Sequence, residues 1–180
     1  MLKERKRIYL CLAHMSEEGM EQKYVKEAFD TNWVVPLGPN VDGFEKALEE
    51  FIGENKRIVA LASGTAAVHL ALVECGVEAG DEVIVQSFTF CASSHPITYL
   101  GATPVFVDSE PDTWNMDPIA LEKAFELYPE IQVGVVAHLY GTTGKIDEIR
   151  ETCNRHGAVL IEAAEESLGE DYKCVQPGVF

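Results

Sequence analysis

Basic residues are scarce: 14 lysines and arginines stand against 30 aspartates and glutamates in 180 residues, a formal net charge of −16. A surface of that sign repels phosphate backbones and anionic headgroups, so neither nucleic acid nor an anionic membrane is expected as a partner. The five cysteines (Cys11, Cys75, Cys91, Cys153 and Cys174) are odd in number, scattered and never in a CxxC pair. That pattern fits free thiols in a reducing cytoplasm better than a disulfide frame or a zinc site. No apolar run approaches membrane-spanning length. The basic N-terminus, MLKERKRIYLCLAH, has too short an apolar run for a signal peptide and lacks a cleavage-site pattern. Neither GxGxxG nor the P-loop spacing occurs. No internal repeat or low-complexity segment is present, and no Ser/His/Asp or Cys/His arrangement stands out. Glu162, Glu165 and Glu166 have no histidine at ligand spacing beside them, so no metal is expected.

What remains is a chain of ordinary domain size, 47% apolar and 24% charged, which is the composition of a soluble globular protein. Its organising stretch is Ile58–Leu72, IVALASGTAAVHLAL. Ile58 to Ala62 reads as a strand buried on both faces. Ser63-Gly64-Thr65-Ala66-Ala67 is a small-residue turn, and Val68 to Leu72 continues as an apolar helix. A strand feeding a helix through such a turn gathers free N–H groups at the helix's positive end, an anion seat. Gly64 permits close backbone approach, and the Thr65 hydroxyl could cap the helix or bond a phosphate oxygen. An ordinary capped strand-to-helix turn has the same pattern.

Strands and helices alternate along the chain. Residues 8–13 (IYLCLA) suggest a short strand or extended arm. A helix is expected from Ser16 to Asp30, and a second over Val41–Phe51 after a loop forced by Pro36, Gly38 and Pro39. The aromatic loop with Trp33 and Leu37 is either a binding surface or a hydrophobic staple. Beyond the central helix, strands are expected at Val83–Val85, Val105–Val107, Gln132–Ala137 and Ala158–Ile161. Helices follow Gln86–Ser94 and cover Pro118–Leu127 and Ile146–His156. Residues 167–180 read as an extended or hairpin segment. The order predicts a three-layer α/β/α fold around a mostly parallel sheet. Its strand ends, Ser63, Thr89, Asp108, His138 and Glu162–Glu166, would lie along one edge, where ligands of such sheets bind. Phe90 could stack there on a flat ring, or be a core aromatic. His138 and Tyr140 could donate to a ligand, or be structural.

These motifs, in this order, resemble the DegT/StrS family of pyridoxal-phosphate sugar aminotransferases. The resemblance is carried by PLGPNVDGFEKAL (36–48), ASGTAAVHLAL (62–72), GDEVIVQSFTFCAS (80–93), GATPVFVDSEPDTWNMD (101–117), HLYG (138–141) and LIEAAEESLG (160–169). It implies the large α/β domain of aspartate-aminotransferase-like (fold type I) enzymes, homodimers with shared sites, and pyridoxal phosphate as cofactor. It implies transfer of an amino group, usually from glutamate, to a nucleotide-linked keto sugar. The branch indicated aminates UDP-linked 4-keto-6-deoxy sugars for surface polysaccharides and glycans. Gly64, Thr65 and Ala66 match the cofactor-phosphate turn, Phe90 the aromatic stacked on the pyridine ring, and Glu166 the residue near the ring hydroxyl.

Two departures accompany the match. The family segment reads like LIEDAAESLG, and its Asp, which bonds the ring nitrogen, is here Ala163. The lysine that forms the Schiff base follows a YKGKQTGTFGD-like segment in a motif this chain does not reach, and Lys173 matches a surface lysine instead. The expected organisation is therefore an N-terminal arm with helices over residues 1–57 and a partial cofactor-binding large domain over 58–180, with the small C-terminal domain absent. Such a chain is expected to be inactive alone and to self-associate. The alternatives, ranked after it, are a non-catalytic dimerisation or binding protein and then the N-terminal half of a split enzyme.

Overall fold

The computed structural model describes residues 15–53 and 56–168. The arm at 8–13 and the segment beyond Leu168 lie outside them. The chain divides into two units, Met1–Ala60 and Leu61–Phe180.

The first unit holds α1 (Met20–Asp30) and α2 (Pro39–Ile52). α1 starts four residues after the expected Ser16. Ser16 and Glu21 close on each other, with Ser16 N–H donating to Glu21 Oε1 (2.8 Å) and the Ser16 hydroxyl to Oε2 (2.6 Å). Ser16 Oγ also accepts from the Met20 N–H at 3.1 Å, so Ser16 feeds the helix end from outside it. α2 begins on Pro39, whose missing N–H costs nothing at a first helical position. Gly38 before it has φ 115°, and a Cβ there would lie 2.6 Å from Trp33 Cε3. Trp33 thus folds back onto the helix start.

The strand expected over Ile58–Ala62 does not form. A strand needs a neighbour for its N–H groups, and here two of them are taken by side chains. Ile58 N–H donates to Glu49 Oε1 (3.3 Å) and Ala60 N–H to Glu45 Oε1 (2.8 Å).

The second unit contains α3 (Gly64–Glu74), β1 (Glu82–Gln86), α4 (His95–Tyr99), β2 (Thr103–Val107), α5 (Pro118–Leu127), β3 (Val133–Ala137), α6 (Ile146–His156) and β4 (Val159–Ala163). The strands form one parallel sheet in the order β2-β1-β3-β4. Alternation along each strand sorts the side chains between two cores. Val83, Val85, Val133, Val135 and Ala163 pack with Val68 and Leu72 of α3 and Ile97 of α4. Ile84, Val107, Val136 and Leu160 pack with Leu121 and Phe125 of α5 and Ile149 and Cys153 of α6. This is the expected three-layer α/β/α arrangement, with β3 buried along its whole length.

The chain leaves β1 for β2 through α4 on one face, then returns to β3 through α5 on the other. The order reverses between β1 and β3, so their carboxyl ends frame a topological switch point, where open α/β sheets bind ligands. β4 runs two residues further than expected, pairing Val136 with Glu162 and Ala137 with Ala163. Glu162 and Ala163 are therefore strand residues on opposite faces.

Candidate functional site at the switch point

β1 and β3 share only two paired positions, Ile84 with Gly134 and Val85 with Val135. The next residue, Gln86, is fully buried and replaces the ladder with its side chain. Its Oε1 accepts from Ala137 N–H (3.0 Å) and its Nε2 donates to Phe88 O (2.9 Å). The two strand ends are thus spread by a side chain, and the loop carrying Phe90 is fastened to the gap.

Phe90 is 55% exposed and meets Tyr140 edge-on, with ring centroids 6.1 Å apart. The exposure favours the stacking reading over the core one. Tyr140 follows β3 in the turn Leu139–Gly141 and has φ 55°, a left-handed conformation that a non-glycine residue adopts only when its surroundings impose it. Two contacts do so here. Glu166 Oε2 accepts the Tyr140 N–H at 2.6 Å, and Asn115 Oδ1 accepts the Leu139 N–H at 3.0 Å. Asn115 also donates from Nδ2 to Thr142 O at 2.7 Å, so one buried amide holds both ends of the turn.

Asn115 lies in the β2–α5 loop, itself organised by Glu110. This carboxylate is 3% exposed and accepts the N–H groups of Asp112 and Thr113 (2.8 Å each), the Thr113 hydroxyl and Lys145 Nζ (3.0 Å). Burial pushes its carboxyl up, but the Thr113 hydroxyl, the Asp112 N–H, the Lys145 ammonium and the Thr113 N–H outweigh that and hold it at about 2. Lys145 also bonds Asp112 at 2.9 Å, and its two carboxylate partners raise its pKa above the usual lysine value. The lysine at this edge is thereby kept as an ammonium ion.

At the start of α3, Ser63 in extended conformation accepts the Ala66 N–H on Oγ at 3.2 Å. Ser63, not Thr65, is the cap. Among the described residues no acceptor takes the N–H groups of Gly64 or Thr65, so the first turn keeps free donors at its positive end. Beside it lies Glu165, whose Oε1 is 3.5 Å from where a Cβ on Gly64 would sit.

The remaining expected residues divide. Ala163 is buried (7% exposed) in the α3 core, and its methyl group can neither donate nor accept. Glu162 points to the opposite face, bonding Arg150 Nη2 of α6 (3.1 Å) and facing His138 Nε2 (3.4 Å). His138 is buried and turned away from the edge. Gly144 N–H donates to its Nδ1 (3.3 Å), which leaves the ring proton on Nε2 toward Glu162. Of the two readings of His138, the structural one holds. Gln86, Asn115 and Glu110 were not anticipated. The one available signal was a polar residue directly after an apolar strand, as in EVIVQ, and that pattern also fits an exposed strand end.

For pyridoxal phosphate the two ends of the site differ. The free N–H groups of Gly64 and Thr65 suit a phosphate, Phe90 offers a ring face, and Glu166 holds the turn of Tyr140, the residue that Phe90 meets. A ring-nitrogen partner at position 163 would be missing, since the Ala163 side chain has no polar atom and Glu162 faces the other core. The sequence profile of the DegT/DnrJ/EryC1/StrS aminotransferase family matches residues 15–179. EpsN of Bacillus subtilis (strain 168), which carries the name of a pyridoxal phosphate-dependent aminotransferase, is 51% identical over 97% of this chain and 45% of its own length. GDP-perosamine synthase of Caulobacter vibrioides is 42% identical over 89% of this chain and 43% of its own. Among solved structures, DesV of S. venezuelae, in complex with a ketimine intermediate, superposes with a TM-score of 0.79 at 34% identity, covering 90% of this chain and 43% of DesV. The chain thus spans under half the length of these relatives, and it belongs to the DegT/DnrJ/EryC1/StrS family of pyridoxal phosphate-dependent aminotransferases.

Proposed function

We propose that this chain supplies the cofactor-phosphate side of a sugar aminotransferase site, one that aminates a nucleotide-linked keto sugar with glutamate as donor. The observation that carries this reading is the convergence at the switch point of the free α3 turn, Phe90 and the Glu166-held Tyr140 turn. The sugar is taken to be of the UDP-linked 4-keto-6-deoxy type, destined for surface polysaccharide or glycan; relatives named as a GDP-perosamine synthase, an aminotransferase of a UDP-linked oxo sugar and a spore coat polysaccharide biosynthesis protein support the coarser class. In the full assembly Gly64, Thr65 and Ala66 bind the phosphate, Phe90 covers the ring, and Glu166 lies toward the ring hydroxyl. Bound there, pyridoxal phosphate supplies an electron sink whose strength depends on an acid at its ring nitrogen. Ala163 does not provide one.

The 180-residue chain alone is proposed not to turn over. Ala163 removes the ring-nitrogen acid, and Lys145 is held protonated by Glu110 and Asp112. These same residues favour a second reading, a non-catalytic dimerisation or binding protein, or one half of a split enzyme. The deciding measurement is the absorbance spectrum of the chain with pyridoxal phosphate, before and after glutamate. The expected result is the spectrum of free cofactor, unchanged by glutamate. A shifted band that glutamate bleaches would show a working lysine and overturn the inactivity. Stoichiometric co-purification with a full-length relative would favour the binding role.

A further inference from the structure

We infer that Glu165 screens the anion seat of α3, its carboxylate repelling phosphate from Gly64–Ala66. This rests on the proposed reading of that turn as a phosphate site. Two observations carry it.

The first is position. Glu165 lies two residues beyond Ala163, which faces α3, and its side chain continues over the same face onto the first turn of that helix. Its Oε1, Cδ and Cγ lie 3.5, 3.6 and 3.9 Å from the Cβ position of Gly64. The second is what surrounds it. The donors of Gly64 and Thr65 have no acceptor among the described residues, and Glu165 makes no ion pair among them. Among the described residues no cation pairs with it, while Glu166, one residue on, is committed to the Tyr140 N–H. A lone carboxylate at the positive end of a helix stands in for the anion that such an end attracts. A phosphate dianion entering the turn meets like charge within a few ångströms of its binding donors.

The test is a titration of the full chain with inorganic phosphate, read from the backbone amide shifts of Gly64, Thr65 and Ala66. Wild type is compared with Glu165→Gln, which keeps the bulk and removes the charge, and Glu165→Ala, which removes both. Glu165 is exposed, so neither change disturbs a core. The expected result is that both variants bind phosphate at least about tenfold more tightly than wild type. Equal binding in all three, with shifts at those amides, would overturn the screening and leave the phosphate seat standing. Tightening in Glu165→Ala alone would also overturn it, since bulk and not charge would then be responsible. No shift at these amides in any of the three would remove the seat itself, and with it the phosphate end of the proposed function.

Discussion

Glu110 carries more of the edge than its place in a loop suggests. Four donors converge on this buried carboxylate, and through Asn115 the loop it organises sets the turn bearing Tyr140. Its folded pKa of about 2 lies below the ordinary 4.5, so ionisation stabilises the native state. That contribution is complete above about pH 4.5 and is lost as pH falls toward about 2. Glu110→Gln retains the shape and loses the charge. Its urea-unfolding midpoint should lie below wild type near neutral pH, with the gap closing through that acid window. A gap that stays constant with pH would show that the carboxylate's charge is not what the loop depends on. Residue detail of this kind was only partly legible in the sequence. Ser63 and Thr65 are both hydroxyl residues at the helix start, and only the extended backbone of Ser63 selects it as the cap.

Among the elements, the junction of β1 and β3 is the one a functional reading depends on. Gln86 ends the ladder by offering a side-chain oxygen to Ala137 N–H where a backbone carbonyl would otherwise serve. Gln86→Leu keeps the volume and leaves that buried N–H unpaired, at a cost of about 1–3 kcal/mol. Faster hydrogen exchange at Ala137, with a matching fall in unfolding free energy, would confirm the clamp. Unchanged exchange would mean that the strands hold their separation without it. The helices and strands of the second unit follow the periodicity of the chain closely: α5 and α6 have the expected limits because Asp117 caps one and Gly157 ends the other. The exceptions are elements whose existence depends on a partner. Ile58–Ala62 has the composition of a buried strand, yet carboxylates from α2 take its N–H groups. β4 extends to Ala163 because β3 offers pairing that far.

At the scale of the whole molecule, the second unit leaves Phe88, Phe90, Phe106, Trp114, Ile119 and Leu127 exposed, many times the solitary apolar residue that a surface normally tolerates. With a net charge of −16 acting against association, the chain is still expected to self-associate, as a homodimer or larger species. Light scattering behind size exclusion should give a mass above the 19.9 kDa of one chain, with a melting temperature that rises with concentration. A monomer that melts cooperatively at every concentration would contradict this. The alternation of apolar runs and turns determined, by itself, the layered α/β class and the parallel sheet, and with them the edge at which open α/β sheets bind ligands, because buried strands and capped helices have local signatures. The family motifs likewise point to Gly64–Ala66, Phe90 and Glu166 as residues of that edge. Only the tertiary structure decided which polar groups face it. His138 turns into the α6 core and Glu162 follows it, whereas Glu165 swings onto α3. Gln86, Asn115 and Glu110 become the frame. Side-chain direction at a strand end depends on where pairing stops and what lies beyond it, and neither is written in the local sequence.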